Sequence, residues 1–333
     1  MKPSTLKSEI MARFNSKQKR TLMVESTPGL GKTQIARQAA QELGVGFMAI
    51  HAPLLQPEDY GLPVVTGKNK DGLSFVVSKD KFPLEGSDCP DTGIFLIDEL
   101  SQADNSSQKI LANLIQEREI HGQKLKEGWT IVATGNRQSD RAGANRILGH
   151  LSNRLTRVEL ELSLDDWTQW ALSNGVKSEV VAFIRFRPEL LSNYDSKQDI
   201  NATPRAWAEG VSESLGVSSN EFEVFSGDIG EGAASEFLAF LKIYRSLPNP
   251  DAILLNPKKA EVPKDPATLY AVCGALVSRT TEVNFDKALT YIKRLPAEFS
   301  VLYVKDAMQK CSDITHTKAF IDWASNEGAA LLT

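Results

Sequence analysis

The sequence predicts an α/β protein, a parallel sheet with helices on both faces, followed by an all-helical region. Three observations predict it. The apolar runs Thr21–Ser26, Phe47–Ala52, Ile94–Glu99 and Trp129–Thr134 are nearly continuous rather than alternating, the pattern of strands buried on both faces. Helix-period segments, Thr33–Leu43 and Asn105–Glu117, fall between them, as crossovers of a parallel sheet require. From Leu164 onward strand signals fade and helical spacing dominates.

In chain order, TLMVES (Thr21–Ser26) is a strand running into a Pro-Gly turn, and Thr33–Leu43 is the helix that follows. After the strand Phe47–Ala52, the stretch Tyr60–Phe82 places GLPVV and LSFVV on either side of the polar turn TGKNKDG, which predicts an inserted β-hairpin. Ile94–Glu99 is the third strand. Ile110, Leu111, Leu114 and Ile115 mark one face of the helix Asn105–Glu117. Glu117–Gly128 reads as a second, shorter hairpin ahead of the strand Trp129–Thr134, and Thr156–Leu160 alternates apolar and polar residues. The helices expected beyond are Asp165–Ser173, Ser178–Arg187, Pro204–Leu215, Ala233–Arg245, Thr268–Ser278, Phe285–Arg294 and Lys318–Ala324. Proline-rich Pro248–Pro266 is expected to be a surface connection. This places one domain at residues 1–162, with hairpins near 61–82 and 117–128, and a helical region at 163–333.

With 333 residues, 41% hydrophobic and 24% charged, the chain has the composition of a globular protein large enough for more than one core. A net charge of −4 disfavours nucleic acid as the main partner. The three cysteines, Cys89, Cys273 and Cys311, form neither a metal-ligand spacing nor a disulfide framework, and four scattered histidines argue against a zinc site. The N-terminal MKPSTLKSEIMARF lacks a signal-peptide apolar stretch, and no run reaches the ~18 apolar residues of a membrane span, so the expected location is the cytoplasm.

The strongest chemical signal is the run Ser26, Thr27, Pro28, Gly29, Leu30, Gly31, Lys32, Thr33, placed after a strand and opening a helix. A triphosphate needs converging donors. Gly29 and Gly31 allow close approach of backbone N–H groups, the helix dipole presents its positive end, and Lys32 adds a point charge. The Thr33 hydroxyl is placed to bind Mg²⁺. Ser26 stands where such loops usually begin with glycine. The second signal is Ile94–Glu99, whose apolar residues deliver Asp98 and Glu99 to a strand end. Asp98 would hold the Mg²⁺ shell and Glu99 would polarise the attacking water; the plain alternative is a solvated acidic turn.

Asn136, in ATGN after the fourth strand, is either a hydrogen-bonding group for the γ-phosphate or water, or a turn asparagine. Arg154, in LSNRL, and Arg205, in TPRA with Pro204 suited to a first helical turn, are either transition-state arginines or surface ion pairs. His51 ends the second strand, where local hydrogen bonds would satisfy it; only a family resemblance would imply that it orients Glu99. The pairs Trp167/Trp170, Phe183/Phe186 and Phe237/Phe240 are spaced for helix packing rather than base stacking.

In this order the motifs resemble the AAA+ superfamily of P-loop ATPases, and in detail its MoxR branch. The resemblance covers about Leu22–Leu215. It implies ATP and Mg²⁺ as cofactors, with Gly29, Gly31, Lys32 and Thr33 as phosphate loop, Asp98 and Glu99 as the acidic pair and Asn136 as sensor 1. It implies Arg154 as the finger offered to a neighbouring subunit, with Arg137, Arg141 and Arg146 as rivals in the same loop, and Arg205 as sensor 2 of a helical lid. The hairpins correspond to the helix-2 and pre-sensor-1 inserts, and the last third, including Gly230–Ala233, resembles phage and prophage MoxR-like ATPases. The implied assembly is a homo-oligomeric ring, most often a hexamer, that remodels a protein client, frequently beside a partner with a von Willebrand factor A domain. A nucleic-acid motor or loader is the competing function, and a nucleotide-gated scaffold a third.

Overall fold

The computed structural model describes residues 1–17, 20–65, 73–137, 147–217 and 219–328. It divides into two compact units, Met1–Ser163 and Leu164–Thr333.

The first unit is built on a five-stranded sheet of β1 (Thr21–Ser26), β2 (Gly46–His51), β5 (Thr92–Asp98), β8 (Gly128–Asn136) and β9 (Leu155–Glu159). The strands are all parallel, in the spatial order β2-β5-β8-β1-β9. Alternation along these strands divides their side chains between two cores. Leu22, Val24, Ile94, Leu96 and Val132 pack with α1 (Pro3–Asn15) and α2 (Lys32–Leu43). Met23, Phe95, Ile97, Ile131 and Ala133 pack on the opposite side with α4 (Asn105–Glu117) and with Tyr60, Phe82 and Leu84. Helix α1 has no counterpart in the sequence reading. Its buried contact rests on two residues one turn apart, Leu6 and Ile10, too sparse a stripe to register as periodicity.

Short helices α3 (Pro57–Tyr60) and α5 (Gly149–Ser152) lie in the connections. The first hairpin pairs β3 (Leu62–Val65) with β4 (Leu73–Val76), Leu62 opposite Val76, and its turn lies outside the described residues. The second pairs β6 (Glu119–Ile120) with β7 (Gln123–Lys124) through His121 and Gly122. Both turn residues have positive φ, 46° and 79°, as a twisted two-residue hairpin loop demands.

Helix α4 starts where Asp104 accepts from the Ser106 and Ser107 backbone N–H groups at 2.6 and 2.8 Å. These bonds, that from Ser107 foremost, hold its carboxyl below the usual carboxylate range. Asp104→Ala is expected to cost ~1 kcal/mol in a denaturant titration. Because the folded-state pKa is depressed, the cap's contribution is present above the unfolded carboxylate value. It fades as pH falls through the folded one, so wild type and variant should converge in acid.

The second unit is helical: α6 (Leu164–Ser173), α7 (Ser178–Phe186), a wide turn at Ala206–Val211 continuing into α8 (Ser212–Ser214), α9 (Glu221–Ile229), α10 (Glu231–Ser246), α11 (Pro250–Leu255), α12 (Pro266–Arg279), α13 (Phe285–Ile292), α14 (Ala297–Lys310) and α15 (Lys318–Trp323). The aromatic pairs serve packing. Phe183 lies 5.1 Å from Phe237 and 5.5 Å from Phe240 between ring centroids, and Trp167 is buried in the same cluster. The segment Pro248–Pro266 departs from the expected surface connection. Asn249 caps α11 by accepting from the Asp251 N–H, Pro250 starts it, and Ile253 and Leu254 are buried. Helices α9 and α14 also went unanticipated. Among the described residues no helix is long and apolar enough to cross a membrane.

Candidate nucleotide site

Adjacent strands of the parallel sheet bring their carboxyl ends together, and four of them carry the polar residues singled out in the sequence. His51 ends β2 opposite Asp98 at the end of β5, and Asn136 ends β8 opposite Ser26 at the end of β1. From Ser26 the chain turns through Thr27, Pro28, Gly29, Leu30 and Gly31 into α2 at Lys32. Gly29 and Gly31 have φ of 80° and 84°, and a Cβ on Gly31 would meet nothing within 4 Å. The demand at Gly31 is therefore backbone conformation, not space. The first N–H groups of α2 then point out of the helix at its positive end, a ready anion cradle.

The Lys32 ammonium donates to the Ser26 Oγ at 3.0 Å, to the Ser26 and Thr27 carbonyls at 3.3 Å and to Asn136 Oδ1 at 3.1 Å. This fastens the loop lysine directly to the end of β8. The Thr33 hydroxyl donates to Asp98 Oδ2 at 2.7 Å. Two hard oxygen donors side by side fit a Mg²⁺ ion that completes its shell with water and phosphate oxygens. Glu99 stands just past β5 with φ of 58°, an unusual backbone for glutamate, and its carboxylate is 41% exposed. His51 sits between the acids, Nε2 4.0 Å from Asp98 Oδ2 and Nδ1 3.9 Å from Glu99 Oε2.

Two residues of this cluster escaped the sequence reading. Ser101 accepts from the Asn136 N–H at 3.1 Å. Thr134, fully buried, donates to Asp98 Oδ1 and accepts from the Glu99 N–H. The available signal was strand parity, which places Thr134 on the same face as Val132, toward α2. Gly135 lets the strand pass: a Cβ there would lie 2.5 Å from Met23 Cε and 2.7 Å from Ser101 Oγ.

Arg154 is not brought to this cluster. Arg154 precedes Leu155, which pairs with Thr21 at the start of β1. It thus lies at the amino end of the sheet, about 17 Å along the strand from the loop at ~3.3 Å per residue. Arg137 is tied within the chain to Glu159, Nη2 to Oε1 at 2.6 Å. Arg141 and Arg146 lie outside the described residues. Arg205, in the second unit, is exposed and 4.0 Å from Glu209 one helical turn on.

A phosphate loop between a parallel strand and a helix, facing an acidic strand end, defines a P-loop nucleotide-binding fold. Residues 22–159 match the family model described as "AAA: ATPase family associated with various cellular activities". The matched segment runs from β1 to β9 and is similar to the ATPase domain that this family model describes. Among solved structures, the chain is similar to NtrX from Brucella abortus in complex with ADP, at 16% identity over 84% of this chain and 64% of that one, TM-score 0.39. It is also similar to a RuvB mutant from Thermotoga maritima, at 17% identity over 80% of this chain and 78% of that one, TM-score 0.40. The chain thus spans less than two thirds of the NtrX chain's length. No curated protein matches the sequence.

Proposed function

We propose that the protein is a Mg²⁺-dependent ATPase of MoxR type that works as a homo-oligomeric ring and remodels a protein client in the cytoplasm.

 The observation that carries this is the convergence of Lys32, Thr33, Asp98, Glu99 and Asn136 at neighbouring strand ends. In that arrangement Thr33 and Asp98 would hold the metal, which supplies charge neutralisation at the transferred phosphate. Lys32 and the loop N–H groups bind the phosphates, Glu99 accepts a proton from the attacking water, and Asn136 holds Lys32 and the reacting end in register.

The position of Arg154 supports a ring. An arginine at the amino end of the sheet is remote from its own phosphate loop and free to serve the site of an adjacent copy through a head-to-tail contact, the geometry that closes into rings. Arg205 is offered as sensor 2. The β3–β4 hairpin, with Leu62 and Val76 exposed opposite one another, supports engagement of a protein client, and a von Willebrand factor A domain protein is the partner class proposed.

The test is complementation between two variants. Arg154→Ala is expected to lower turnover by ~10³-fold or more while leaving nucleotide binding intact. Glu99→Gln should be comparably silent. Mixed in equal amounts, the two should regain activity, since about a quarter of the interfaces in a random ring pair an intact Glu99 with an intact Arg154. A mixture as silent as its components would sink the shared-site reading. ATP turnover that appears only with DNA would move the function to a nucleic-acid motor.

A further inference from the structure

Thr134 makes two contacts that the nucleotide-binding motifs do not account for. Its side chain is 0% exposed, on the central strand β8 and on the face that packs toward α2. Its hydroxyl lies against both members of the acidic pair at once, touching the side chain of Asp98 and the backbone of Glu99.

The hydrogens in this arrangement follow from donor chemistry. The Glu99 N–H, 3.0 Å from Thr134 Oγ1, can only donate, so the hydroxyl accepts there. Its single proton is then committed to Asp98 Oδ1, which as a carboxylate can only accept. The other oxygen, Oδ2, takes the proton of Thr33 at 2.7 Å. Asp98 is thereby held with one oxygen turned inward to Thr134 and the other toward Thr33 in the first turn of α2. Glu99 adopts φ of 58°, a left-handed conformation that a glutamate does not choose by itself. The N–H bond to Thr134 is what the first residue past β5 gains by turning that way.

We infer that Thr134 is a positioning residue that fixes which oxygen of Asp98 faces the metal and sets the backbone turn that aims Glu99. The inference rests on the proposed metal-dependent ATPase. Its reasoning is that of partners behind metal ligands in general, which orient the ligand rather than touch the ion.

The experiment compares Thr134→Val, which keeps the shape and removes the hydroxyl, with Thr134→Ser, which keeps the hydroxyl. Two readouts are taken on the full chain: Mn²⁺ binding in the presence of a non-hydrolysable ATP analogue, followed by electron paramagnetic resonance, and steady-state turnover. Thr134→Val is expected to weaken Mn²⁺ binding and lower kcat by ~10- to 100-fold each, the usual loss when a ligand's orienting partner is removed. Analogue affinity in excess chelator should stay at the wild-type value, and Thr134→Ser should restore both losses. Should the valine variant not fold, Thr134→Cys, a weaker donor with serine's shape, takes its place with the same expected losses.

Equal Mn²⁺ binding by wild type and the valine variant would overturn the inference while leaving the ATPase reading intact. So would a serine variant as impaired as valine, or a loss confined to metal-free analogue affinity. A wild-type chain that neither binds Mn²⁺ with the analogue nor turns over ATP would overturn the reading itself, and the inference with it.

Discussion

Glu99→Gln is expected to leave Mg²⁺-dependent nucleotide binding at the wild-type level while lowering turnover by ~10²- to 10⁴-fold, the range that a positioned general base contributes. The substitution is close to isosteric, and the side chain is partly exposed, so little of the fold depends on its charge. The cradle does not use it: Lys32 is held by Ser26, Thr27 and Asn136, and Thr33 by Asp98. Lys32→Ala should behave in the opposite sense, losing nucleotide affinity first, because the ammonium is the loop's only formal charge. The check is paired titration of a fluorescent ATP analogue and phosphate release on both variants. A glutamine variant that hydrolyses ATP at the wild-type rate would remove Glu99 from the chemistry. It would leave His51, 3.9 Å away, as the neighbouring group to examine.

The division of labour proposed for these residues also bears on what the sequence shows of the candidate site. Phosphate recognition is local: Gly29, Gly31, Lys32 and Thr33 would act through one turn of chain, so their order alone proposes them as a phosphate loop. The parallel sheet was equally open, because strands covered on both faces must be apolar throughout, as Ile94 to Ile97 are. Thr134 and Ser101 were not legible. Strand parity gives the face of Thr134, but the partners of both residues are set only when the end of β5 and the segment after it lie beside β8. Helix α1 was missed for a related reason: its helical character is carried by contact with α2 rather than by its own pattern. In the helical unit, α11 hid inside a proline-rich stretch because prolines that start helices and prolines that break them look alike until the cap, Asn249, is recognised. The arginines mark the boundary most sharply. A finger contributed between copies would leave no mark on the packing of one chain, so the role proposed for Arg154 is not legible in its position alone.

The largest stability effect is expected in the helical unit, at a pair that no motif announced. Arg185 on α7 and Asp306 on α14 form a two-pronged ion pair, Nε to Oδ2 at 3.0 Å and Nη2 to Oδ1 at 2.5 Å, with side chains only 13% and 7% exposed. Burial pushes the Asp306 carboxyl above the usual carboxylate range, and the Arg185 guanidinium opposes that shift. Arg185→Met removes the opposing charge and leaves a buried carboxylate alone, a loss of ~3–5 kcal/mol at neutral pH. The sign with pH follows. In the variant the folded-state value is raised further above the unfolded one, so the deficit is largest at neutral pH. It shrinks as pH falls through that raised value, where Asp306 takes up a proton and its burial no longer isolates a charge. The double variant Arg185→Met, Asp306→Leu should recover most of the stability, since an apolar pair of similar volume avoids the desolvation that the ions incur. Urea unfolding followed by tryptophan fluorescence would measure all three, because Trp167, Trp170, Trp207 and Trp323 lie in this unit. A single variant within ~1 kcal/mol of wild type at neutral pH would mean that water reaches the pair and screens it. The ion pair would then be a surface contact in energetic terms despite its burial.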